Sequence, residues 1–505
     1  MTSFSNAVTK ESKSKKTTTT NGMKARVTTA NACVDLFFKA GASRGRDIST
    51  EFLTAYQENP EYALRILLWL RDIRGGAGER KLFRDLLNYM IQHIGTIFSE
   101  EEVKMVMNKV PEVGRWDDLF GVNESWAKEL NPNIKEYILN LIEAGIKKGD
   151  GLIFKWLPRE KSANKQFALS VMKKLGMTPR QYRKLLAENT KVVESDMCRG
   201  DWDNINFSHV PSKAANLYKT AFYKHTQESG AYKKYVDSLL KGDDSSVKVN
   251  ANAIFPHEVI KNIIDITNTW DTNKLSSTEL GLIQAQWDAL PDYMDNQNIL
   301  PVVDTSASMF WDSAKVFGTK NLYAGHIAQS LGLYCSDKNK GAFKDLVMQF
   351  NTEPKIKLFK GSILEKCKSI SRMDVGGSTD LEAAFKNILK LGIDHQVPES
   401  DMPKIILIMS DMQFNESRSD PNESAQKMIK RMYKEAGYEL PKVVYWNLAA
   451  HDNVPVKFNK SGVALVSGYS PSILKSILKG DIENFTPFNV MLETIMSDRY
   501  KLDEV

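Results

Sequence analysis

The stretch that most constrains this chain is Ile299-Leu300-Pro301-Val302-Val303-Asp304-Thr305-Ser306-Ala307-Ser308. A short apolar run bounded by turn-formers reads as a buried strand. Such a strand delivers Asp304, Ser306 and Ser308 to its carboxyl end, where open α/β sheets bind ligands. One carboxylate and two hydroxyls are hard oxygen donors. They suit Mg²⁺ or Mn²⁺ and suit zinc poorly.

Two later segments extend the pattern. Val375-Gly376-Gly377-Ser378-Thr379-Asp380 opens the amphipathic segment Leu381–Leu391, with paired glycines permitting close backbone approach. Lys404 to Ser410 is a second buried-strand run, ending at Asp411. Three strand-end loops thus offer two hydroxyls with a carboxylate, then a hydroxyl, then a carboxylate. In the plainer reading Thr379 caps a helix and Asp411 ends a strand.

The order Asp-x-Ser-x-Ser, then Thr, then Asp resembles the metal-ion-dependent adhesion site of von Willebrand factor A domains. The match falls on Asp304, Ser306, Ser308, Thr379 and Asp411. The resemblance implies that Ser306 and Ser308 bind the ion and that Thr379 binds directly or through water. Asp304 and Asp411 would act mainly as acceptors behind them. It also implies a protein partner whose Asp or Glu completes the octahedron. Hydrolysis would need a positioned base and a leaving-group stabiliser, and neither is assignable, so no enzyme activity is expected.

At 505 residues, with 42% hydrophobic and 26% charged residues, the chain is expected to be soluble and to form two or three domains. No apolar run approaches the roughly 20 residues of a membrane helix, and the N-terminus has no apolar signal core. Cys33, Cys198, Cys335 and Cys367 are scattered without ligand spacing, which fits a reducing, cytoplasmic setting or a virion. A net charge of +6 permits nucleic-acid binding without requiring it.

Residues 1–28, rich in Thr, Ser, Lys and Asn, read as a disordered basic tail. Residues 29–290 read as all-α. Tyr62, Ile66, Trp69 and Ile73 share one helical face, as do Leu82, Leu86, Met90 and Ile94. Ser99 with Glu102, and Thr178-Pro179-Arg180-Gln181, look like helix starts. Recurrent helices with short breaks suggest a HEAT-like helical-repeat stack, although no strict period is present. The Gly75-Gly76-Ala77-Gly78 break lacks the strand and Lys-Ser/Thr of a phosphate loop, and reads as a helix end and turn. Residues 291–505 alternate β and α elements and predict a doubly wound, mostly parallel sheet. His326, His395 and His451 read as ordinary histidines.

Two helical-region segments, Val113–Phe120 around Arg115-Trp116-Asp117-Asp118 and Lys155–Lys161 around Trp156, place a tryptophan beside ions of both signs. They are either ion-paired packing or a basic, aromatic surface for single-stranded RNA. Together with the adhesion-type site, they resemble the Ro ribonucleoprotein family with its TROVE module. The resemblance is closer still to the Ro-like domain-of-unknown-function 2828 family of plants, fungi and viruses. It implies an RNA-binding helical domain ahead of a von Willebrand factor A domain, with Arg115, Arg159 and Lys161 as RNA candidates. Helical spacing adds Arg180, Arg183 and Lys184 on one side of a helix, a solvated face or a further basic contact. The expected function is therefore a non-enzymatic RNA- and partner-binding protein. The alternative is a structural or assembly protein, for example of a virion or large particle, whose ion is structural.

Overall fold

The strand expected before Ser306 spans Ile299–Asp304 and is buried at every residue. Its run of apolar side chains has no polar face because neighbouring strands flank both edges and helices cover it. The computed structural model describes residues 15–120, 130–242, 244–268, 275–294, 298–373, 375–479 and 484–503. The first half of the expected tail, residues 1–14, lies outside these. The chain divides into two units, one from residues 1–66 with 251–496, the other from 67–250 with 497–505.

The first unit opens with a hairpin, β1 (Lys16–Thr18) and β2 (Lys24–Arg26), followed by helices α1 (Ala32–Ala40) and α2 (Ser49–Glu58). After α3 (Pro256–Asn268) and α4 (Ser277–Asp288) come β3 (Ile299–Asp304), α5 (Ala324–Lys338), β4 (Leu346–Phe350) and β5 (Lys355–Leu358). Then follow α6 (Ile363–Ser371), α7 (Leu381–Asp394), β6 (Ile405–Ser410), α8 (Ala425–Ala436), β7 (Lys442–Asn447) and β8 (Val463–Ser467). Helices α9 (Leu474–Lys479) and α10 (Pro487–Ile495) close the unit.

The sheet runs β5-β4-β3-β6-β7-β8. Only the β4–β5 pair is antiparallel; β3 lies parallel to both β4 and β6, placing Val302 opposite Met348 and Ile408. The mostly parallel sheet expected for this half is therefore present, including its hairpin edge. Gly332 lets α5 sit close on the sheet: a Cβ there would meet Val303 Cγ2 at 2.3 Å.

Two expected boundaries need correction. Residues 15–28 are not a free tail, because Met23 and Ala25 are buried and the hairpin is hydrogen-bonded to loops near residue 414. Thr19 Oγ1 donates to Phe414 O at 2.5 Å and Asn21 Nδ2 to Gln413 O at 2.6 Å. The all-α region also does not form one unit. Residues 29–66 and 251–290 belong with the sheet, where the C-terminal end of α1 meets the ends of β7 and β8: Ser467 Oγ donates to Phe37 O at 2.7 Å and Asn447 Nδ2 to Phe38 O at 3.2 Å.

The second unit is helical. Among the described residues its α-helices range from the 17 residues of Pro132–Lys148 to the 6 of Gly151–Trp156. Both helix starts read from sequence carry reciprocal caps, Ser99 with Glu102 and Thr178 with Gln181, the latter with proline in the first turn. The Gly-Gly-Ala-Gly stretch is a turn between helices ending at Arg71 and starting at Arg80. Buried Asp72 organises it, accepting from the amides of Arg74 at 2.9 Å and Gly75 at 3.1 Å. The same carboxylate accepts from Arg499 Nη2 at 2.8 Å and Tyr500 Oη at 3.0 Å, so the C-terminal segment is fastened into this unit. Lys109 and Asp503 add an ion pair at 2.9 Å.

Candidate metal centre

Strands β3 and β6 are adjacent and parallel, so their carboxyl ends emerge side by side. This topology brings Asp304 and Asp411 together. Asp304 is fully buried, and Ser306 N donates to its Oδ1 at 2.9 Å while Ser410 Oγ donates to Oδ2 at 2.5 Å. Burial, and next the neighbouring Asp411 carboxylate, push the Asp304 carboxyl up to about 7 against those two hydrogen bonds. Two carboxylates buried side by side thus repel each other, and a cation would relieve both the burial and the repulsion.

The hydroxyls follow from the loop after β3. Ser306 Oγ and Ser308 Oγ lie 3.1 Å apart, with Ser306 buried and Ser308 half-buried. The loop is fixed from the side by the glycine pair. Gly376 pairs with Ser306 in a short parallel bridge, accepting from Ala307 N at 3.0 Å and donating to Thr305 O at 3.2 Å. A Cβ at Gly376 would stand 2.6 Å from Asn351 Cβ, so only glycine fits this approach.

Thr379 lies three residues farther on. Its backbone is clamped by Asn415, whose Oδ1 accepts from Thr379 N at 3.0 Å and whose N donates to Thr379 O at 2.9 Å. Thr379 is fully buried, yet its Oγ1 has no hydrogen-bond partner. It does not cap the following helix. That role belongs to Asp380, which accepts from Ala383 N at 2.8 Å. A buried hydroxyl with nothing to bond is unfavourable by about 1–3 kcal/mol. The orphaned oxygen is what a site awaiting a cation or its water would contain.

On the Asp411 side, Gln413 N donates to Asp411 Oδ1 at 3.0 Å and Met412 N to Ser410 Oγ at 3.0 Å. Met412 bends the chain with a left-handed φ of +67°, a conformation that L side chains adopt only when surroundings impose it. Sequence reading missed Ser410, Asn415 and His451. Ser410 shares the motif's own strand end and was legible as a hydroxyl beside Asp411. His451, expected to be ordinary, interacts electrostatically with Asp411 and is held below its usual range by burial.

The other candidates lie in the helical unit. Arg115 engages Asp117 through Nε at 3.0 Å and Nη2 at 2.9 Å, and its guanidinium stacks 3.8 Å above the Trp156 ring. The two tryptophan segments therefore meet each other. Asp118, buried, is bound by Arg71 at 2.7 Å and Arg84 at 2.6 Å, so the Asp117-Asp118 pair serves an ion-pair cluster. Arg159, Lys161 and Arg180 are exposed. Arg183 pairs with Glu160, and Lys184 lies 3.7 Å from Glu188.

Comparisons with known proteins follow the division between helical and sheet sequence. Residues 19–110 and 156–300 match a domain of unknown function, DUF2828, and residues 298–498 match a second, DUF7788. Across 525 aligned residues the chain is 30% identical to uncharacterized protein L728 of Acanthamoeba polyphaga mimivirus, covering 94% of this chain and 86% of that protein. The crystal structure of the Deinococcus radiodurans RO (RSR) protein aligns with 92% of this chain and 99% of its own, at 12% identity and a TM-score of 0.47. With this extent of shared sequence, the chain belongs to the same family as mimivirus protein L728.

Proposed function

We propose that this chain is a non-enzymatic binding protein whose sheet-end site holds Mg²⁺, or Mn²⁺, and uses it to capture a carboxylate of a protein partner. The observation that carries the reading is the buried, unpartnered Thr379 hydroxyl, three residues beyond the Gly376 bridge to Ser306. Ser306, Ser308 and Thr379 would hold the ion, and Asp304 and Asp411 would orient hydroxyls and water behind them. The ion, when bound, supplies an electrophilic position that an Asp or Glu side chain can fill. Asn415 and the Gly376 bridge keep the loops set, so little reorganisation is needed on binding.

The test is capture of protein partners on the immobilised full-length chain, with Mg²⁺ or with EDTA. Capture that requires Mg²⁺ and is lost in Asp304→Ala, with the fold retained, is expected. Capture unchanged in EDTA contradicts the reading.

The helical unit is proposed, from its likeness in motif order to Ro proteins with their TROVE module, to bind RNA. The exposed cations Arg159, Lys161 and Arg180 would contact phosphate, whereas Arg115 is already engaged by Asp117 and Trp156. Filter binding of single-stranded and hairpin RNA over a salt series tests this. A salt slope that falls in Arg159→Glu and Arg180→Glu supports it, and a slope near zero in the parent chain does not.

A second reading is favoured by one feature: Asp304, Ser306, Thr379 and Asp411 are all buried. A cation so enclosed would act as a structural brace, in a protein that assembles into a virion or other large particle. In that case metal removal lowers the melting temperature while partner capture persists.

A further inference from the structure

The hairpin β1–β2 does more than cover the loop after Asp411. Its inner face carries Met23 and Ala25, both buried. By the alternation of a strand, Lys24 and Arg26 point the other way. In the antiparallel register Lys16 stands opposite Arg26, and Thr18 opposite Lys24. Like charges placed directly across a strand pair are destabilising. Here the outward face of a two-stranded ribbon holds three cations.

That face borders a cleft of about 530 Å³ lined by Lys16, Thr18, Lys24, Arg26, Ser424 and Lys427, among others. Lys427 comes from the first turn of α8, where the helix dipole favours an acid and none is present. Ser424, the residue before the helix, makes no side-chain cap. The nearest acid in sequence, Glu423, is engaged by Arg431 at 3.0 Å. Lys24 and Ser424 are joined by a short parallel bridge, so hairpin and helix form one wall. Among the described residues no aromatic ring lines the cleft, so they offer nothing for a base to stack on.

We infer that this cleft binds a ligand carrying consecutive phosphate groups, recognised through charge and hydroxyl contacts. The volume is within the range of small-ligand sites. Several lysines and an arginine around hydroxyls match a phosphate chain better than a single carboxylate. The same chemistry is found in free polyphosphates and in a nucleic-acid backbone.

The test is calorimetric titration of the full-length chain with sodium tripolyphosphate at low salt, with sodium sulfate as the single-anion control. Saturable binding is expected, weakened roughly tenfold, about 1.4 kcal/mol, in each of Lys24→Ala and Lys427→Ala. Melting curves identify any variant that fails to fold, and Lys404→Ala, at an exposed lysine outside the cleft, should bind as the parent does. Competition by a ten-nucleotide single strand assigns the phosphates to a nucleic acid, and its failure assigns them to a free polyphosphate. Both results support the site. No saturable binding up to millimolar tripolyphosphate, or folded variants that bind like the parent, overturns it.

Discussion

Replacing Thr379 by valine separates a metal site from an ordinary polar core. Valine keeps the shape of threonine and removes only the hydroxyl. Without metal, Thr379 Oγ1 is buried with no partner, an arrangement unfavourable by about 1–3 kcal/mol. Thr379→Val should therefore stabilise the metal-free protein by a similar amount. For a folded unit of this size that is roughly 2–6 °C in melting temperature. With Mg²⁺ the order reverses. The parent chain should gain about 2.7 kcal/mol at a hundredfold excess over the dissociation constant, and the variant should gain far less. Thermal melts in EDTA and in Mg²⁺, run side by side on both proteins, read the two effects. A variant that melts lower than the parent in EDTA, and shifts equally in Mg²⁺, refutes the reasoning.

Other consequences are as direct. The Asp304 carboxyl is raised to about 7, so the metal-free fold binds its proton more tightly than the unfolded chain does. The stability this group contributes is present below about pH 4 and lost as pH rises through 7. A cation competes with that proton, so Mg²⁺-induced stabilisation should be larger at pH 8 than at pH 6, measured by melting temperature. In the helical unit, Arg499→Ala leaves the buried Asp72 carboxylate without its guanidinium. It should cost about 1–3 kcal/mol in urea unfolding, less than a fully buried pair because Arg499 is one-third exposed. Gly332→Ala drives a Cβ to 2.3 Å from Val303 Cγ2 and should destabilise by about 1–3 kcal/mol, also read by urea melts.

How much of this was legible in the sequence depends on how far apart the interacting residues lie. Asp304, Ser306 and Ser308 stand out because the apolar run before them and their own spacing are local. Thr379 and Asp411 could be singled out because each sits at the junction of a helix or strand and a loop. Which residue caps the helix after Gly377 was not legible, since Thr379 and Asp380 are both good caps. The structure assigns that role to Asp380 and leaves Thr379 free for the site. The hairpin at residues 16–26 escaped because strands of three residues rich in Lys and Thr look like a solvated tail. Its order comes from partners such as Phe414, 395 residues away from Thr19. Asp72 carries no local signal of its role, because its partner Arg499 lies 427 residues on. The sheet unit's two-part make-up has the same origin: α1 is distant in sequence from the β8 edge that it covers.

The most direct measurement is the anomalous signal of crystals grown with Mn²⁺. The account predicts one ion per chain among Ser306, Ser308 and Thr379, with Asp304 and Asp411 behind it. Crystals with no manganese at this sheet end, in a protein that still captures its partner, would contradict it.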